Sequence, residues 1–130
     1  MLSQKKYPAA YISSCKKKIT AAVNAWAQLP GKPSGFEHLY FENQVLILER
    51  MFIHRMRGQE GKDGNPLNEV RMLAASILAD GGKFQPDKTI RYDAENSVTK
   101  IKPGQSISLT AEIFIKLSEA YFEEIKKRFG

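Results

Sequence analysis

The sequence predicts an α+β fold that is mainly helical, with four helices around one core and a small antiparallel β-hairpin or meander between the third and fourth helices. Apolar residues recur at intervals of three and four in four long segments, which is the pattern of amphipathic helices. Between the third and fourth segments the pattern shortens to strand-like fragments separated by turn-forming residues. A chain of 130 residues is long enough to bury one core, so we expect a single domain over residues 1–130.

The first two helices are predicted over residues 9–29 and 36–57, each with one apolar stripe. The first stripe contains Ile12, Cys15, Ile19, Val23 and Trp26, and the second contains Phe41, Val45, Leu48, Phe52 and Met56. Prolines and glycines between residues 30 and 35 predict a short loop. The second helix is also apolar at Tyr40, Ile47 and Met51, so we expect it to lie centrally or in an oligomer contact.

The third helix is predicted over residues 66–80 because its start has two clear signals. The Asn65 side chain can accept a hydrogen bond from a free amide of the first turn, and Pro66 suits the first helical position, where no donor is needed. The apolar stripe contains Leu67, Val70, Ala74, Ile77 and Leu78. Gly58 is expected to end the preceding helix in a left-handed cap, and Gly81 or Gly82 to end this one.

The hairpin is predicted within residues 88–109 and the fourth helix over residues 111–129. The strand-like fragments are Thr89–Tyr92, Ser97–Lys102 and Ser106–Leu109. Pro103 followed by Gly104 is the pair expected at the centre of a type II turn. Thr110 can cap the last helix. Its apolar stripe contains Phe114, Leu117, Tyr121, Ile125 and Phe129.

The positive charge is concentrated at the start of the chain. The formal net charge is +6, yet six lysines precede Gly35 without an acidic residue, and the remaining 14 basic residues equal the 14 acidic ones. Nucleic-acid binding is therefore restricted to the N-terminal lysines. Lys16, Lys17 and Lys18 point in three directions around a helix, and no arginine accompanies them, which favours a solvated surface over a nucleic-acid interface.

Cysteine usage and hydropathy indicate a cytoplasmic protein without a membrane segment. Cys15 is the only cysteine, so neither an internal disulfide nor a zinc site made of thiols can form. The N-terminal residues lack the apolar core of a secretory signal, and no segment approaches the roughly 18 apolar residues of a membrane span. The Glu-x-x-His motif of di-iron bundles is absent, so we predict no metal and no cofactor.

Four polar residues fall on the apolar faces of the second and third predicted helices. His38, Glu42 and Glu49 lie on nearly one line of the second helix, and Arg71 lies within the stripe of the third. Because an unpaired buried charge is costly, we expect Arg71 to contact Glu49 or Glu42. The set has two interpretations: an internal ion pair that fixes helix register, or a polar pocket in which a glutamate acts as a base and Arg71 binds an anionic ligand.

A second candidate site is the glycine-rich connector at residues 58–66. Lys62, together with Arg55 and Arg57, could bind an anion beside the start of the third helix. The spacing departs from a Walker A loop, and Glu60 and Asp63 would repel an anion, so a plain connector between helices is the competing interpretation. No serine or cysteine has the surroundings of a catalytic nucleophile.

Three functions are consistent with this pattern. Since no complete catalytic set is present, the leading hypothesis is a non-enzymatic interaction or scaffold module that acts as a homodimer. The first alternative is a protein or enzyme that binds a small anionic molecule through His38, Glu42, Glu49 and Arg71. The second alternative is nucleic-acid binding through the N-terminal lysines.

Overall fold

Five α-helices make up most of the fold in the computed structural model, which describes residues 3–33, 35–79 and 82–130. Within these ranges the helices are α1 (Ala9–Gln28), α2 (Phe36–Met51), α3 (Arg57–Glu60), α4 (Pro66–Leu78) and α5 (Ala111–Phe129). α4 packs between α2 and α5, and α1 packs against α2 and α5. One hydrophobic cluster fills the space between the four long helices.

The predicted apolar stripes form most of the buried faces of these helices, but Leu78, which was assigned to the stripe of the third helix, is 74% exposed at the end of α4. Ile12, Cys15, Ile19 and Trp26 of α1 are buried, as are Phe41, Val45 and Leu48 of α2 and all five stripe residues of α5. The predicted caps are also confirmed. Asn65 accepts hydrogen bonds from the amides of Leu67 (3.0 Å) and Asn68 (3.3 Å), and Thr110 accepts one from the amide of Ile113 (3.2 Å). Local pattern and cap chemistry therefore fix where the helices start.

The predicted end of the second helix is wrong, because α2 stops at Met51 rather than at residue 57. Residues 52–54 form a tight turn, and the chain then runs beside the N-terminal segment. The Gln4 amide donates to the His54 carbonyl (2.7 Å), and the Met56 amide donates to the Gln4 carbonyl (2.8 Å). Gly58 consequently lies within α3 instead of ending α2. Because the helix is interrupted at residues 52–54, the Arg55 side chain points into the core, where this residue is 2% exposed.

The predicted end of the third helix is only partly described. α4 ends at Leu78 and is followed by Ala79. Residue 80, where we expected the helix to end, and the expected terminator Gly81 lie outside the described residues.

The predicted α+β class is wrong, because the described residues contain no β-sheet and no β-hairpin. Between residue 82 and α5 the chain forms a short 3-10 helix at Ala94–Asn96 and otherwise follows an irregular path. Residues 82–84 approach residues 104–107, but the only pairing there is the isolated antiparallel bridge of Lys83 with Ser106. The Pro103–Gly104 turn does form, with a hydrogen bond of 3.0 Å from the Gln105 amide to the Lys102 carbonyl, although no strands flank it.

Side-chain oxygens accept hydrogen bonds from backbone amides that would have paired with a second strand in a hairpin. The carboxylate of Glu69 on α4 is completely buried and accepts hydrogen bonds from the amides of Val98 (3.0 Å) and Thr99 (2.9 Å). The Thr99 hydroxyl donates a third bond, of 2.7 Å, to the same carboxylate. Similarly, the Ser97 hydroxyl accepts from the Lys100 amide at 2.9 Å. Because these donors are already satisfied, the segment has no need of a partner strand.

Glu69→Ala should destabilise the protein by about 2–4 kcal/mol, because the buried amides of Val98 and Thr99 would lose their acceptor. Thr99→Val is the matched control: it removes the hydroxyl bond to Glu69 and the long bond from the Ile101 amide (3.4 Å) but keeps both amide bonds to the carboxylate, so a loss of about 1 kcal/mol is expected. Urea denaturation measures the free energy of unfolding of both variants and of the unaltered protein. Equal losses for the two variants would contradict the role assigned to Glu69.

Candidate functional site

The most connected polar cluster joins Glu49, Arg55, Glu60 and Arg71, and we call it the Arg55 network. Arg55 uses all of its guanidinium donors. Nε bonds the carboxylate of Glu60, Nη1 bonds the Phe52 carbonyl (3.0 Å) and the Tyr121 hydroxyl (3.1 Å), and Nη2 bonds Glu49 (3.0 Å) and the Leu67 carbonyl (3.2 Å). A buried guanidinium is stable only when its donors are satisfied in this way. The network therefore joins the end of α2 to α3, α4 and α5.

Glu60 is the second centre of this network. The short helix α3 holds its side chain at 1% exposure, where the same carboxylate oxygen accepts bonds from Arg55 and Arg71. Arg57 approaches the other carboxylate oxygen at 3.6 Å from a side chain that is 64% exposed. The two buried or partly buried arginines balance the charges of the two glutamates, although the buried Nε of Arg71 has no hydrogen-bond partner within the described residues.

The electrostatic surroundings keep Arg55 charged. Burial acts to lower the pKa of Arg55, but the Tyr121 oxygen, which accepts a hydrogen bond from the guanidinium, and the carboxylates of Glu49 and Glu60 together raise that pKa above its ordinary value. Burial raises the pKa of Glu49, although the neighbouring Arg55 opposes the shift. Burial also raises the pKa of Tyr121, so this hydroxyl stays protonated beside the guanidinium.

The predicted four-residue pocket is not assembled. Arg71 pairs with Glu60, and Glu49 pairs with Arg55, so the expected direct contact of Arg71 with Glu49 or Glu42 is not among the ion pairs of the described residues. The His38 side chain is exposed and Glu42 is half-buried. Only Glu49 and Arg71 join the network, linked through the two residues Arg55 and Glu60.

The predicted anion site is not assembled either, because its three residues, Arg55, Arg57 and Lys62, lie in different surroundings. Arg55 is buried and engaged by two carboxylates, whereas Arg57 and Lys62 are exposed. The Lys62 carbonyl accepts a hydrogen bond of 2.7 Å from the Arg91 amide, and this bond ties the connector to the segment after α4. This part of the connector therefore has a structural role, as a link to the segment after α4.

Sequence reasoning missed Glu60 and the polar role of Tyr121. Glu60 lies in a glycine-rich stretch without periodicity, so no pattern marked it as buried. Tyr121 was assigned to the apolar stripe of the last helix, and its hydroxyl contact with Arg55 spans 66 residues of sequence. The only available signal was chemical: an arginine and a tyrosine in core positions each need polar partners.

The network is a structural link between the end of α2 and the helices α3, α4 and α5. The five clefts identified on the described surface are lined by other residues. Among the described residues no cluster of three or more histidine, cysteine, aspartate or glutamate side chains is arranged to hold a metal, and no helix has the length and apolarity needed to cross a membrane. No protein-family model, curated protein or solved structure matches the chain. The function must therefore be argued from the surface of the molecule itself.

Arg55→Met should destabilise the protein by about 3–5 kcal/mol, because Glu49 and Glu60 would lose the cation that compensates their burial. Arg57→Met is the matched control on the exposed side of Glu60, and it should cost less than about 0.5 kcal/mol. Chemical denaturation followed by circular dichroism compares the free energies of unfolding of the two variants. An Arg55→Met protein as stable as the control would show that the network does not hold the fold together.

Proposed function

We propose that this chain is a non-enzymatic interaction module that acts as a homodimer through the outer face of α2, which consists of Leu39, Glu42, Leu46, Ile47 and Arg50. The observation that carries the proposal is the exposure of large apolar side chains opposite the buried stripe of this helix. Leu39 is 52% exposed and Ile47 is 45% exposed. Single exposed apolar residues are ordinary, but several on one helix face are typical of a contact surface.

The outer face has a sequence symmetry that suits pairing with a second copy. Glu42 and Arg50 each lie four residues from Leu46, and Leu39 and Ile53 each lie seven residues from it. A two-fold axis at Leu46 between antiparallel helices would bring Glu42 opposite the partner's Arg50 and Leu39 opposite the partner's Ile53. Ile53, just beyond the end of α2, is 44% exposed. The same surface would thus supply both sides of the contact.

The charges on this face are available for such a partner. Neither Glu42 nor Arg50 takes part in an ion pair within the described residues. α2 has 16 residues and so a length of about 24 Å, which limits the area that one helix face can bury. We therefore propose a weak dimer, with a dissociation constant in the micromolar range or above, rather than an obligate one.

The buried free thiol of Cys15 suits a reducing compartment such as the cytoplasm.

The two alternative functions have less support. Binding of a small anion by His38, Glu42, Glu49 and Arg71 requires a common cleft, whereas Glu49 and Arg71 are engaged by Arg55 and Glu60. Nucleic-acid binding through Lys16–Lys18 has only the charge of that segment in its favour. Neither alternative accounts for the exposed apolar residues of α2.

Charge exchange at the proposed interface provides a sharp test. Glu42→Arg and Arg50→Glu should each weaken self-association by about tenfold, because each places like charges opposite one another across the two-fold axis. Mixing the two single variants should restore association as a heterodimer, since opposite charges then face each other at both positions. Sedimentation velocity from micromolar to millimolar concentration measures all three samples.

Glu112→Arg is the control for the charge reversal, because the Glu112 side chain is 81% exposed on α5 and does not belong to the outer face of α2. This control should associate like the unaltered chain. A protein that stays monomeric over the whole concentration range would refute the proposed dimer. Failure of the mixed variants to associate more strongly than either alone would refute the antiparallel arrangement.

A further inference from the structure

A cleft between the start of α1 and the end of α5 has the features of a separate ligand site. The Tyr7 amide donates a hydrogen bond of 2.6 Å to the Phe129 carbonyl and so ties these two helix ends together. The cleft has a volume of about 360 Å³. Its lining includes Ala9, Ile12, Ser13 and Lys16 of α1 and Phe122 and Lys126 of α5. We call it the α1–α5 cleft, and it shares no residue with the outer face of α2.

The floor of the α1–α5 cleft is apolar and preformed. Ile12 and Phe122 are 5% and 4% exposed and belong to the hydrophobic core cluster. Because core packing holds both side chains in place, an apolar ligand could lie on them without ordering flexible residues first. The volume falls in the range of small-molecule sites, which is about 300–1,000 Å³.

The rim of the cleft is cationic. Lys16 and Lys126 come from the two facing helices, the remaining lining residue is Gly130, and no aspartate or glutamate side chain lines the cleft. Neither lysine belongs to an ion pair of the described residues. Lys16 also borders a neighbouring, more open cleft that contains Glu119 and Glu123, but it forms no ion pair with either. Two cations above an apolar floor are complementary to an anion that carries an apolar body.

We propose that the α1–α5 cleft binds a small amphipathic carboxylate, with its aliphatic or aromatic body on Ile12 and Phe122 and its carboxylate between Lys16 and Lys126. The hydroxyl of Ser13 supplies a further donor at the same rim. The enclosed apolar floor selects against inorganic anions, which have no apolar surface to bury. The cationic rim selects against neutral apolar molecules of the same size.

Octanoate is the probe that tests this site, with 1-octanol as its neutral counterpart. In amide NMR titrations of the tag-free chain, octanoate should produce saturable shifts at Ser13, Lys16, Phe122 and Lys126, with a dissociation constant on the order of a millimolar. Octanol should bind more weakly. Absence of saturable shifts with octanoate, or equal binding of octanol, would overturn the proposal.

Lysine substitutions locate the anion. Lys16→Gln and Lys126→Gln should each weaken octanoate binding by about threefold. Lys18→Gln and Lys127→Gln are the matched controls, because each removes one exposed lysine from the same helix outside the cleft, and each should leave binding unchanged. Equal weakening in the controls would show general attraction to a basic surface and would overturn the assigned position of the carboxylate.

Discussion

The fold depends on the complete coordination of one buried guanidinium. Arg55 lies beyond the end of α2 and reaches α3 through Glu60, α4 through the Leu67 carbonyl and α5 through Tyr121. A guanidinium withdrawn from water needs every donor satisfied, and no straight helix through residue 57 would direct Arg55 to all of these groups. The turn at residues 52–54 and the short helix α3 are consequences of that requirement. The same hydrogen bonds leave no free donor on the Arg55 guanidinium.

Buried polar side chains also explain why the molecule lacks a sheet. Glu69 binds the amides of Val98 and Thr99, and the Ser76 hydroxyl accepts a hydrogen bond of 3.0 Å from the Gln85 amide. These backbone donors are the groups that a β-ladder would have used. Glu69 thus satisfies backbone amides of an irregular segment from a helix, whereas Arg55 lies between helices and satisfies the carbonyls of Phe52 and Leu67. A helical core and a long irregular connection can coexist because side chains replace strand pairing.

The sequence allowed prediction of features that depend on neighbouring residues, but not of those that depend on distant ones. Helix starts at Asn65 and Thr110 follow from caps within the next few residues, and they were predicted correctly. The end of α2 and the missing hairpin depend on contacts of Arg55 and Glu69 with residues far along the chain. At the candidate site, periodicity placed Glu49 and Arg71 on inward faces, but the predicted contact of Arg71 with Glu49 or Glu42 is not among the ion pairs of the described residues. It could not identify their partners, because Glu60 and Arg55 lie outside any regular stripe.

The exchange rate of the Arg55 Nε proton with solvent tests the central role of this guanidinium most directly. NMR of the arginine side chains at neutral pH compares Arg55 with Arg57, which approaches the same Glu60 carboxylate from an exposed position. The account predicts a slowly exchanging Arg55 proton that is released only when the whole protein unfolds, and a rapidly exchanging Arg57 proton. Equal, rapid exchange of both protons would contradict the account, because Arg55 would then be open to water.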